Sequence, residues 1–127
     1  MNIKKIILLF LLTFGICAYA DEDWEFHSSS LEGDRFYLNS DSIEKYDGHV
    51  YFWYLKSYLM PNKFGDMSAK VYAQGDCIKN RLKYLSYIWY QQPMGNGIGE
   101  QSNEASEWEF PTSESVGIDL LNDACNN

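Results

Sequence analysis

The chain has 127 residues and carries 18 acidic against 10 basic side chains, which gives a formal net charge of −8 at pH 7. Such a surface repels phosphate backbones and anionic lipids, so the composition argues against nucleic-acid binding and membrane-surface binding and weakly favours a basic partner. The length allows one domain with a single modest hydrophobic core.

The N-terminus has the pattern of a cleavable export signal. Two lysines precede an apolar stretch of about eleven residues, and Ala18-Tyr19-Ala20 follows as a small-x-small cleavage site. Because a membrane-spanning helix needs about twenty apolar residues, this stretch is too short to be an anchor. We predict a signal peptide over residues 1–20, cleavage between Ala20 and Asp21, and a mature domain over residues 21–127.

Lipid anchoring at Cys17 is the alternative to this cleavage. Ile16 is bulky, whereas a lipoprotein signal has a small side chain before its cysteine, so we expect a domain free of lipid. Removing residues 1–20 takes away two lysines and no acid, which changes the net charge from −8 to −10. No later segment is long and apolar enough to span a membrane, and we expect the domain in the periplasm, at the cell surface or secreted.

Two cysteines, Cys77 and Cys125, remain after the predicted cleavage. An even pair normally forms a disulfide in the oxidising environment outside the cytoplasm. The bridge would close a loop of about 48 residues and stabilise the domain by roughly 4 kcal/mol on the chain-entropy estimate. The two thiols are isolated from each other and from both histidines, so we expect neither a metal site nor a redox site.

Alternating and aromatic-rich segments predict mostly β structure. Asp47-Gly48 is a strong tight-turn signal and predicts a hairpin between the segments on either side. Pro61 ends one strand, and residues 91–97 form a turn after another. In residues 81–90, strict alternation puts Tyr87 and Trp89 on the face opposite to Leu82 and Tyr84. In chain order the predicted strands cover residues 24–28, 35–38, 42–45, 50–55, 68–73, 81–90 and 108–110.

The C-terminal segment changes from strand to helix periodicity. After Pro111, either Thr112 or Ser113 can cap a helix. Apolar residues then recur at helical spacing, at Val116, Leu120, Leu121 and Ala124. The predicted bridge would fasten this helix to the strand region that carries Cys77.

No catalytic pattern stands out. His27 and His49 are the only histidines, and no metal spacing or serine–histidine–aspartate pattern accompanies them. A glycan hydrolase would need two close carboxylates, but scattered acids on an acidic protein usually form a solvated surface. The acids in question are Glu104, Glu107, Glu109 and Glu114. We therefore expect a protein that is not an enzyme and that holds no cofactor or metal.

Aromatic residues make up 17% of the chain and occupy both faces of the two central strands. One face must build the core against the helix, so either Tyr51 and Trp53 or Tyr87 and Trp89 lie on the other face. Exposed aromatic patches bind proteins or sugars, and these four residues form the candidate binding patch. The alternative is that both faces are covered, by the helix on one side and by loops or a dimer partner on the other.

A series of short motifs extends over nearly the whole mature chain. It comprises Tyr37-Leu38, Asp41-Ser42-Ile43, Trp53, Ser68-Ala69-Lys70, Asp76-Cys77, Arg81, Leu85-Ser86, Tyr90, Met94-Gly95-Asn96-Gly97, Trp108, Pro111, Ser113 and Cys125. In this order and spacing the motifs resemble the surface-adhesin protein E family of exported bacterial proteins.

The resemblance implies an α+β fold, with an antiparallel sheet of about six strands, a C-terminal helix packed on it and one disulfide. It also implies a surface or periplasmic location, adhesion to host extracellular-matrix proteins for the family's namesake, and a homodimer. The leading hypothesis is a non-enzymatic binding module that contacts a host or envelope protein. The alternative is an acidic periplasmic inhibitor of a basic enzyme such as lysozyme.

Overall fold

The computed structural model of the chain describes residues 22–127. The predicted signal peptide, its cleavage site between Ala20 and Asp21, and Cys17 lie outside the described residues. Residues 22–127 form one antiparallel sheet of seven strands and one C-terminal helix, which confirms the predicted α+β fold. Within this range no helix has the length and apolar character needed to cross a membrane.

The elements are β1 (Glu25–Ser29), β2 (Arg35–Leu38), β3 (Glu44–Tyr46), β4 (His49–Ser57), β5 (Ser68–Asp76), β6 (Arg81–Tyr90), β7 (Glu100–Ser102) and helix α1 (Val116–Asn126). The strands pair in the order β1-β2-β4-β5-β6-β7, and β3 pairs with the first part of β4 beside β2. Strand β7 has three polar residues and was not predicted. The predicted strand at 108–110 is reduced to one bridge between Glu109 and Leu82.

The core lies between α1 and one face of the sheet, called the helix face below. Phe52 of β4 is opposite Ala73 of β5, and both are fully buried. Gly75 lies on the same face, where an added Cβ would come within 2.4 Å of Leu121 Cδ1. The helix therefore packs directly against bare backbone at this position.

A β-bulge in β6 changes which side chains share a face. Two neighbouring residues of β5 pair with Tyr84 and Ser86, so Leu85 between them has no partner of its own. Beyond the bulge, Tyr87 and Trp89 lie on the same face as Tyr84, which is the helix face. The prediction of strict alternation along this strand is therefore wrong.

Helix α1 begins later than its predicted caps. Ser115 is the N-cap, and its Oγ accepts a hydrogen bond from the backbone N–H of Ile118 at 3.2 Å. The prediction of a cap at Thr112 or Ser113 is wrong because these residues belong to the turn that precedes the helix.

The Cys77–Cys125 disulfide is present, with the two Cα atoms 5.9 Å apart. It joins the start of the β5–β6 turn to the last turn of α1. The Nζ of Lys45 also donates a hydrogen bond to the carbonyl of Cys125, at 3.2 Å. The C-terminal end of the helix is thus tied to the sheet covalently and by one charged side chain.

Replacing both bridge residues, Cys77→Ser with Cys125→Ser, is expected to lower the free energy of unfolding by roughly 4 kcal/mol, because the unfolded chain regains the freedom of the closed loop. Urea unfolding monitored by tryptophan fluorescence measures the change. Wild-type protein under reducing conditions should match the double variant. Equal unfolding midpoints for the oxidised wild type and the double variant would contradict this expectation.

Candidate functional site

The face opposite α1 carries a group of half-buried aromatic side chains. Tyr72 of β5 lies between Tyr51 and Trp53 of β4, with ring centroids 6.2 Å and 5.0 Å away. Ile88 of β6 lies on the same face, next to this group. Tyr51, Trp53, Tyr72 and Ile88 are called the helix-free surface below. All four stand on the three central strands, which hold them in fixed positions.

A shallow cavity of about 310 Å³ opens beside Trp53 and is also lined by Glu22, Asn39, Lys70 and Ile88. The side-chain oxygen of Asn39 is buried, and no group within residues 22–127 donates a hydrogen bond to it. An unsatisfied buried acceptor costs about 1–3 kcal/mol. A donor that reached Asn39 through the cavity would remove this cost.

Lys70 is the cation of this cavity. Its Nζ lies 3.0 Å from Glu22 Oε1 and within cation–π distance of the rings of Trp24 and Tyr90, at 5.9 and 5.1 Å from their centroids. Burial lowers the pKa of Lys70, but the hydrogen bond and the charge of Glu22 outweigh burial and raise it overall. The ammonium group therefore keeps its proton at the edge of the cavity, where the carboxylate of Glu22 partly balances its charge.

A second group of aromatic residues, called the tyrosine row, lies on the helix face beside the area that α1 covers. Its members are Tyr54, Tyr84, Tyr87 and Trp89. Successive ring centroids are 6.5, 6.1 and 5.2 Å apart, and the rings of Tyr87 and Trp89 are parallel to within 2°. Contacts of this kind stabilise aromatic pairs beyond their buried area.

The hydroxyl groups of the tyrosine row resist ionisation. Burial raises the pKa of Tyr87 to about 12, with further contributions from Tyr84 and from the carboxylate of Glu109. Burial also raises the pKa of Tyr54 well above its usual range and, together with Glu109, raises that of Tyr84. The hydroxyl groups therefore stay neutral at any physiological pH, and those of the half-buried Tyr84 and Tyr87 can donate hydrogen bonds to a ligand.

The four residues of the predicted binding patch fall on two different faces. Tyr51 and Trp53 lie on the helix-free surface, and Tyr87 and Trp89 lie in the tyrosine row. They do not form one patch. Sequence reasoning also missed Tyr72, whose place between two aromatic residues of β4 depends on strand register and leaves no signal in the local sequence.

The histidines make contacts that the sequence did not indicate. Ser28 Oγ and Asp123 Oδ2 each lie 2.7 Å from a different ring nitrogen of His27. Because Asp123 lies on α1, this arrangement fastens edge strand β1 to the helix. The ring of His49 contacts the Gln74 amide at 2.9 Å. Residues 22–127 contain no group of three or more His, Cys, Asp or Glu side chains arranged to hold a metal ion.

Comparison with protein families gives a match over residues 24–126 to the surface-adhesin protein E family. The chain belongs to this family. Membership makes it a surface-adhesin-like module of a non-enzymatic family and indicates a surface-exposed or secreted protein. A comparison with curated proteins found no match.

Solved structures of protein E from Haemophilus influenzae have the same fold. Crystal form II has a TM-score of 0.62 and 14% sequence identity, with 85% of this chain and 91% of that chain covered. The selenomethionine form has a TM-score of 0.62 and 16% identity, with 86% and 92% covered. At such low identity the likeness concerns the fold alone. The shared fold agrees with the sheet and C-terminal helix described above.

The raised pKa of Tyr87 predicts a loss of stability at high pH. Unfolded tyrosines ionise near 10.0, whereas folded Tyr87 keeps its proton until about pH 12. Its contribution is therefore fully present below pH 10.0 and is lost as the pH rises towards 12. Urea unfolding across this interval should show a decline that is shallower in Tyr87→Phe than in wild type. Tyr46→Phe, at a site 72% exposed, is the control and should follow wild type.

Proposed function

We propose that the chain is an exported, non-enzymatic binding module that contacts a host or envelope protein through the helix-free surface. The observation that carries this proposal is the contiguous aromatic group of Tyr51, Tyr72 and Trp53 on the sheet face that α1 does not cover. Aromatic side chains are enriched at the centres of protein interfaces and supply a large share of binding energy there. Family membership supports the adhesin part of the proposal.

Other segments cover both ends of this face. At one end the ring of Trp108 contacts His49, Arg81 and Lys83, at 5.5, 4.1 and 5.5 Å from its centroid. The other end is covered by the loop that follows β6. The short 3-10 helix Pro93–Gly95 lies over it, and the Gly95 N–H donates to the buried Ser68 Oγ at 2.9 Å. Leu55, next to this loop, is fully buried. The half-buried aromatic group lies between the two covered ends, so part of each ring is accessible while the strands below hold it rigidly. A rigid aromatic surface binds with little loss of side-chain entropy.

The cavity beside Trp53 gives the surface polar specificity. A partner side chain that carries an N–H or O–H group can reach Asn39 while its apolar part contacts Trp53. The ion pair of Lys70 and Glu22 lines the same cavity and can exchange hydrogen bonds with a polar partner. A large apolar group without a donor would leave the Asn39 oxygen unsatisfied.

Replacing Trp53 with alanine is expected to weaken binding by tenfold or more, since a central interface tryptophan contributes about 2 kcal/mol or more. The assay is binding of the exported protein to immobilised host extracellular-matrix proteins and to envelope extracts. Tyr46→Ala is the matched control, because Tyr46 is an exposed aromatic residue outside the helix-free surface. Circular dichroism verifies that both variants fold.

Equal binding by wild type and Trp53→Ala would reject the helix-free surface as the contact. A homodimer that uses this surface gives a different result, namely a wild-type dimer and a Trp53→Ala monomer in sedimentation velocity. The alternative function, inhibition of a basic enzyme such as lysozyme, is favoured by the net charge of −10 that residues 21–127 carry. That function predicts lysozyme inhibition that weakens steeply with added salt and does not depend on Trp53.

A further inference from the structure

We propose a second binding site, on the helix face, in which the tyrosine row ends at an acidic aromatic pocket that takes an arginine side chain of an extended peptide. This site uses residues of the opposite face from the helix-free surface. A test of this site is therefore independent of the test of the function proposed above.

The pocket lies at the end of the sheet where the β4–β5 loop meets the last residues of β6 and the first of β7. Its volume is about 420 Å³. Its lining comprises two aromatic rings, two carboxylates and two amides, and no basic side chain. These residues are Asn62, Phe64, Asp66, Trp89, Gln91 and Glu100.

The two carboxylates of the pocket are not neutralised. Neither Asp66 nor Glu100 takes part in any of the ion pairs formed within residues 22–127. The loop nevertheless holds Asp66 in place, because its backbone N–H donates to Asn62 Oδ1 at 2.9 Å. Two carboxylates beside an aromatic ring attract a cation, and a partly enclosed site strengthens that attraction relative to open solvent.

The rings favour arginine over lysine. Trp89 packs parallel on Tyr87, which fixes its orientation, and Phe64 is 74% exposed beside it. The Nζ of Lys63 already lies 5.1 Å from the centroid of the Phe64 ring, so this ring accepts a cation in the folded protein. A planar guanidinium group stacks on aromatic rings and forms paired hydrogen bonds with carboxylates, whereas an ammonium group does neither as well.

The tyrosine row provides the platform for the rest of the peptide. From Trp89 it continues along β6 through Tyr87 to Tyr84, away from the pocket, and these three side chains are half-buried. Tyr54 lies beside them on β4 but is buried, so it does not contact the peptide. Rows of aromatic rings on a sheet bind extended, proline-containing peptides, whose polyproline II conformation needs little ordering on binding. The neutral hydroxyls of Tyr84 and Tyr87 can donate hydrogen bonds to the peptide carbonyls.

The test uses a fluorescein-labelled peptide of sequence Pro-Pro-Arg-Pro-Pro and fluorescence anisotropy with the exported protein. Glu100→Gln is expected to weaken binding by up to about fivefold, the value for one exposed ion pair, and Phe64→Ala by a similar factor. Both residues are exposed, so neither substitution threatens the fold. Glu104→Gln is the matched control, because it removes the same charge from an exposed glutamate outside the pocket and should bind as wild type does.

A second peptide, with citrulline in place of arginine, keeps the shape and removes the charge, and it should bind more weakly than the arginine peptide. In NMR spectra the arginine peptide should shift the indole N–H signal of Trp89 and leave that of Trp53 unchanged. The proposal is overturned by absence of peptide binding to wild type, by equal binding of the citrulline peptide, by equal effects of Glu100→Gln and Glu104→Gln, or by a shift at Trp53 in place of Trp89.

Discussion

The rest of the structure depends on the packing of one short helix on a much wider sheet. Helix α1 has 11 residues, so it is about 16 Å long. The six strands that follow one another across the sheet are about 24 Å wide at the usual spacing. One helix cannot cover that area, so side chains must shield the rest of the helix face from water. The large rings of the tyrosine row provide this cover.

The position of α1 is determined by a small number of contacts. At Gly75 a Cβ would clash with the side chains of Leu121 and Val50, so only glycine lets the helix come this close. The disulfide holds the C-terminal end, and the contact between His27 and Asp123 holds the side that faces β1. Since these contacts keep the helix near Gly75, Tyr87 and Trp89 beyond it remain only partly covered.

Local sequence signals predicted the elements that neighbouring residues encode. The bounds of β2 and β6 agree with the alternation and composition of residues 35–38 and 81–90, and Asp47-Gly48 does form the turn between β3 and β4. The disulfide followed from the count of two cysteines in an exported domain. In each case the information lies within a few neighbouring residues or in the number of cysteines.

Features that depend on partners distant in the chain could not be predicted. Strand β7 consists of Glu, Gln and Ser, which have no strand pattern, and it exists because β6 offers an unpaired edge. The additional residue Leu85 looks like any other strand residue, so the bulge and its effect on the faces stay hidden until β5 and β6 are paired. For the same reason the candidate patch was assembled from residues of two faces.

The bulge at Leu85 is what separates the aromatic residues of this domain into two surfaces. Without it, strict alternation would place Tyr87 and Trp89 on the same face as Tyr72 and Trp53, and Ile88 would point towards the helix face. All of these rings would then lie on one broad apolar face, of the kind that promotes self-association. With the bulge, each face carries a smaller aromatic group with its own charges, the Lys70–Glu22 pair on one side and the carboxylates of Asp66 and Glu100 on the other. Adjacent residues of the same strands thus support two surfaces of different chemistry, and a ligand can bind one of them without contacting the other.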